Sequence, residues 1–144
     1  MKHKQPQLAL VEDRQKDFSA YEVSVIRKPS SAIPKKICTV SCPQTAADYL
    51  FDLGLAESLQ EHFVVLMLDT RNHIVAHTVV TTGLLERSHC HPREVFRAAI
   101  LHGTATIIIA HNHPSGGIEP SRQDILSTEN LIEAGNIIGI RVVD

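Results

Sequence analysis

A chain of 144 residues, 43% of them hydrophobic and 21% charged, is long enough for one globular core and has the make-up of an ordinary soluble domain. No apolar run approaches the roughly 20 residues needed to span a bilayer, and residues 1–18 lack an apolar stretch followed by a small-residue cleavage site, so neither a membrane segment nor a signal peptide is expected. Three cysteines, Cys38, Cys42 and Cys90, stand at no disulfide-scaffold spacing, which fits a reducing compartment and a cytoplasmic protein.

The net charge of −2 hides an asymmetry. Residues 1–45 hold eight Lys and Arg against four Asp and Glu, whereas residues 46–144 hold six against twelve. The first 45 residues are expected to form an N-terminal extension, partly extended or flexible. Such a basic arm is open to three readings: it binds DNA, docks on its own domain, or stays mobile. The acidic remainder argues against a broad phosphate-binding face.

Within the extension only residues 21–26 alternate well enough for a strand, and residues 28–31 read as a turn. From Pro43 the pattern becomes globular. Residues 43–55 predict a helix with Ala46, Ala47, Leu50 and Phe51 on one side and Gly54 near its end. Residues 63–68 form a continuous apolar run, as in a strand buried on both faces. Residues 69–72 make a turn, and residues 73–82 return as a second strand. Pro92 suits the first turn of a helix that runs to His102 and stops at Gly103. Residues 105–111, with three consecutive isoleucines, read as another buried strand. A helix opening at Ser121 and closing near Gly135 and Asn136 follows, and residues 139–143 predict a last strand. This order implies an α/β domain over residues 46–144: a mixed central sheet flanked by helices in a three-layer-like arrangement.

The chemistry concentrates in Ala110-His111-Asn112-His113-Pro114-Ser115-Gly116-Gly117 and in Pro120-Ser121-Arg122-Gln123-Asp124. His111 and His113 are two apart at a strand end, and in extended chain residues i and i+2 point to the same side. Pro114 biases His113 towards extended geometry, so two imidazoles stand side by side with Asn112 turned away. The Ser-Gly-Gly stretch lets the chain reverse, and Asp124, in the first turn of the next helix, can close the site. Two histidines and a carboxylate are a common ligand set for catalytic zinc, with the fourth position left to water of pKa near 7. The same residues also fit a plainer arrangement, in which Ser121 and Asp124 only cap a helix.

His-x-His, ten residues and then Asp, with Ser three before it, resembles the JAMM (MPN-plus) metallopeptidase motif. His111-Asn112-His113-Pro114-Ser115-Gly116 and Pro120-Ser121-x-x-Asp124, preceded by His91-Pro92-Arg93-Glu94-Val95-Phe96, resemble the RadC branch of that superfamily. The resemblance covers about residues 46–144 and implies a JAMM/cytidine-deaminase-like fold. It further implies zinc ligation by His111, His113 and Asp124, support of the oxyanion or bound water by Ser121, and a glutamate before the first central strand as general base. Glu61 matches that glutamate; the residues by themselves leave Glu86 and Glu94 open as well. The implied activity is hydrolysis of an amide or isopeptide bond in a peptide or protein substrate. The RadC association also implies a DNA-linked role, and a zinc-stabilised interaction module without turnover is a further alternative.

Three features depart from the resemblance. Residues 1–45 do not match the helix-hairpin-helix region that many RadC-like proteins carry before this domain. The loop reads Gly117-Ile118-Glu119 where an Asp-Pro-Thr-like sequence is usual. The resemblance implies a continuation beyond the position of Asp144, which leaves two readings open: truncation at the C-terminus or an incomplete sheet edge. Zinc deaminases share a related sheet, but their H-x-E and P-C-x-x-C signatures are missing here. Two cysteine sites remain open: Cys38 with Cys42 as half of a metal site or as ordinary thiols, and Cys90 between His89 and His91 as a nucleophile, a second metal site or simply a loop residue.

Overall fold

The computed structural model describes residues 38–55, 57–83 and 90–143. The strand expected at residues 21–26, the turn at 28–31 and nearly all of the basic extension lie outside them, as do Glu86 and His89. Among the described residues no helix is long and apolar enough to cross a membrane.

Among the described residues seven elements follow one another: α1 (Pro43–Asp52), β1 (His62–Leu68), β2 (Ile74–Thr82), α2 (Pro92–His102), β3 (Thr106–His111), α3 (Arg122–Ile138) and β4 (Arg141–Val143). The four strands form one sheet in the order β2-β1-β3-β4. β1 is antiparallel to both neighbours, and β4 runs parallel to β3. The expected mixed sheet with flanking helices is therefore present.

The central strands sort their residues between two cores, as the two-residue period of a strand requires. Phe63, Val65, Met67, Ile107 and Ile109 face one side, where Val95, Phe96 and Ala99 of α2 and Leu131 of α3 cover them. Val64, Leu66, Leu68 and Ile108 face the other and pack on Ala46 and Tyr49 of α1. This double coverage makes three layers, and it explains why β1 and β3 read as unbroken apolar runs.

Local signals set the helix ends. Pro43 and Pro92 open α1 and α2, where a missing N–H costs nothing. Gly103 and Gly139 close α2 and α3 in the left-handed conformation. Two expectations need correction. α1 turns Ala46, Tyr49, Leu50 and Leu53 towards the sheet, a stripe at i, i+3, i+4 and i+7, while Phe51 is left 61% exposed. α3 does not close at Gly135 but runs on to Ile138. Gly135 is a packing glycine: a Cβ there would press on the Ile140 carbonyl oxygen and crowd Val142 and Phe96.

Candidate metal centre

The site lies where β1 begins and β3 ends. Antiparallel pairing sets Phe63 opposite His111, and the two rings stack with centroids 6.4 Å apart and planes 13° from parallel. The phenyl ring thus fixes the first imidazole. Extending the same register past the last paired residues brings Glu61 level with His113.

His113 follows two residues on, and the rings of His111 and His113 lie 4.7 Å apart, centre to centre. Their Nε2 atoms are 2.7 Å from each other. Beyond Pro114 the chain reverses through a turn in which the Gly116 N–H donates to the His113 carbonyl at 2.9 Å. Gly116 has a φ of 75° there, a conformation that suits glycine. α3 then starts beside the histidines.

Ser121 is the N-cap of α3. Its hydroxyl accepts from the Asp124 N–H at 3.2 Å, and the Asp124 Oδ2 accepts from the Ser121 N–H at 2.7 Å. This reciprocal cap aims the carboxylate: Oδ1 stands 3.7 Å from His111 Nε2 and Oδ2 stands 3.9 Å from His113 Nε2. Burial pushes the Asp124 carboxyl up, but the Ser121 hydrogen bonds and the two imidazoles outweigh it, leaving the group below the usual carboxylate range.

Glu61 completes the ring of groups from the other side. Among the described residues, Glu61, His111 and His113 form the one group whose ligand atoms all lie within 4.8 Å of one another. All three are half-buried. The cluster can coordinate a metal ion. Tetrahedral zinc, with bonds of about 2.0–2.2 Å, spaces its donors by roughly 3.3–3.5 Å. The 2.7 Å between the two Nε2 atoms is shorter than that spacing, and Asp124, which approaches each imidazole through a different oxygen, lies outside the group.

The remaining candidates separate cleanly. Glu94 sits in the first turn of α2, paired with Arg97 at 3.2 Å and Arg93 at 3.4 Å. Cys90 is buried beside Thr81, and burial pushes its thiol up, which suits a core residue and not a nucleophile. His91 caps α2 by accepting from the Arg93 N–H. Cys38 is partly buried against the α1 core, and Cys42 is exposed at the start of α1. Neither belongs to a metal-binding group among the described residues.

Sequence reasoning passed over Asn112. Its side chain points away from the imidazoles and bonds to the segment that carries Glu61. The His62 N–H donates to Asn112 Oδ1 at 2.7 Å, and Asn112 Nδ2 donates to the carbonyls of Gln60 at 3.0 Å and Ser58 at 3.4 Å. The readable signal was an amide side chain one residue past a strand end, where it can imitate a peptide group.

Among the described residues, three cavities touch the histidines. One of about 560 Å³ is lined by Leu59, Glu61, His113 and Pro114, one of about 310 Å³ by Phe63, His111, Asp124 and Ile125, and one of about 250 Å³ by Leu50, Phe51 and both histidines.

A family model described as the RadC-like JAB domain matches residues 40–144. A UPF0758 protein of Methanosarcina mazei is 38% identical over 143 residues, 99% of this chain and 57% of its own length. One from Staphylococcus carnosus is 44% identical over 105 residues, 73% of this chain and 46% of its own. One from Caldanaerobacter subterraneus is 52% identical over 85 residues, 59% of this chain and 36% of its own. The chain thus spans about half the length of the curated relatives it matches, or less.

Proposed function

The chain belongs to the RadC-like JAB domain family, and from that premise we propose that it is a zinc-dependent hydrolase of an amide or isopeptide bond. The observation that supports this reading is the convergence of the two imidazoles with the carboxylates of Glu61 and Asp124, brought from three separate segments.

His111, His113 and Asp124 hold the ion in this reading. Asp124 suits a ligand because its cap keeps it ionised and aimed at both imidazoles. A zinc ion held there would supply Lewis-acid activation of a water, with a pKa of roughly 7. Glu61 lines the largest of the three cavities at the histidines, where a substrate carbonyl has room to approach. It takes the proton of the attacking water and passes it to the leaving amine. The Ser121 hydroxyl accepts from Asp124 N–H and keeps one proton to donate to the developing oxyanion. The substrate is a peptide or an isopeptide-linked protein.

The test is zinc content after purification without chelators and with zinc offered back. The wild type should carry about one zinc per chain, and His113→Ala and Asp124→Ala should carry none. A wild type that stays metal-free overturns the reading. On peptide and isopeptide libraries, Glu61→Gln should keep its zinc and lose about 10²–10⁴-fold in rate.

A further inference from the structure

The residue between the two histidines has no part in the roles assigned above, yet its side chain is among the best bonded at this end of the sheet. The β1–β3 ladder ends at the pair Phe63 and His111. Register would next set His62 against Asn112 and Glu61 against His113, but Pro114 has no N–H to give to a further rung. The Asn112 side chain takes over there. Its amide carries a carbonyl oxygen and an N–H in one plane, like a peptide group. Oδ1 takes the His62 N–H, and Nδ2 reaches the carbonyls of Gln60 and Ser58. These backbone groups bracket Glu61 on both sides. The Glu61 carbonyl is itself tied to the Gly83 N–H at 2.9 Å. His62 is braced by Ser58 Oγ at 2.7 Å and Thr82 Oγ1 at 3.1 Å.

We infer that Asn112 is the positioning residue for Glu61. Because it sits between His111 and His113 in sequence, the strand end that presents the imidazoles also clamps the segment that presents the carboxylate. Movement of the β3 end therefore carries both together. The inference rests on the hydrolase reading for the role of Glu61, while the hydrogen bonds of the clamp do not depend on that reading.

Two measurements test it. In metal-free protein, amide hydrogen exchange followed by NMR should show the His62 N–H protected in the wild type. Asn112→Leu, of similar shape but without hydrogen bonds, should speed that exchange by roughly tenfold or more while the amides of Val64–Met67 stay protected. Asn112→Asp keeps the acceptor for His62 and loses the donor to Gln60, so it should give a smaller acceleration, and it carries the test if the leucine variant fails to fold. In cobalt-loaded protein, the visible spectrum of Asn112→Leu should move towards that of Glu61→Gln, with no further change in the double variant. A His62 amide as protected in Asn112→Leu as in the wild type overturns the clamp. Accelerated exchange with a wild-type cobalt spectrum overturns the link to Glu61. Protein that takes up no cobalt sinks the hydrolase reading and leaves the exchange result to stand alone.

Discussion

Histidine meets carboxylate at both ends of this sheet, and the two meetings differ in kind. At the turn between β1 and β2, Asp69 Oδ1 accepts from the Arg71 N–H at 2.8 Å and the His73 N–H at 2.9 Å, while Oδ2 meets His73 Nδ1 at 2.9 Å. The pair is local, four residues apart, and the carboxylate is engaged within its own turn. At the other end the Nε2 atoms of His111 and His113 face Asp124 at 3.7 and 3.9 Å, beyond hydrogen-bond length. There the two imidazoles meet each other, with Nε2 atoms 2.7 Å apart, and the carboxylate comes from a separate element. Ligand-type groups gathered from separate segments mark a place for an ion; a pair closed within one turn does not.

The largest test of this contrast is metal retention. His111→Ala should abolish zinc binding, whereas His73→Ala and Asp69→Asn should leave it at about one per chain. Elemental analysis of the variants checks this, and loss of zinc in His73→Ala would break the distinction. A change in the shared core should act on both ends alike. Leu131, on the sheet-facing side of α3, is fully buried, and Leu131→Ala should cost about 2–5 kcal/mol in denaturant unfolding while the folded fraction still binds zinc.

Smaller effects follow from titration. His77, on β2, meets the buried Tyr49 hydroxyl at 3.0 Å, and burial pushes its imidazole below the ordinary 6.5. The unfolded chain then takes up the proton first. Stability should be full above about pH 6.5 and decline as pH falls from there towards the folded pKa. His77→Gln should flatten that limb in thermal melts. Asp69 gives the last and smallest signal. The His73 N–H, helped by the His73 ring and the Arg71 N–H, holds its carboxyl below 3.8. Its contribution is present above that value and lost as pH falls through the folded pKa. Asp69→Asn should remove this part of the acid limb and leave zinc content at neutral pH untouched.

Much of the fold was readable because it rests on local physics. The apolar runs of β1 and β3, the prolines opening α1 and α2, and Gly103 closing α2 act within a few residues of themselves. The histidine pair was readable for the same reason, since two-residue spacing before a proline needs no distant partner. Gly135 misled because a helix-ending glycine and a packing glycine look alike until Ile140 and Phe96 are in place. Phe51 misled because two overlapping stripes exist on α1, and only the sheet beneath selects the one through Tyr49.

By itself the sequence determined the kinds and order of the elements and the adjacency of His111 and His113, since periodicity, proline and glycine act through short stretches of backbone. Only the tertiary structure decided that β1 lies between β2 and β3, that Phe63 stacks on His111, and that Glu61 and Asp124 approach the same two imidazoles. Strand order and register are chosen by burying two apolar faces at once, and that choice belongs to the whole sheet.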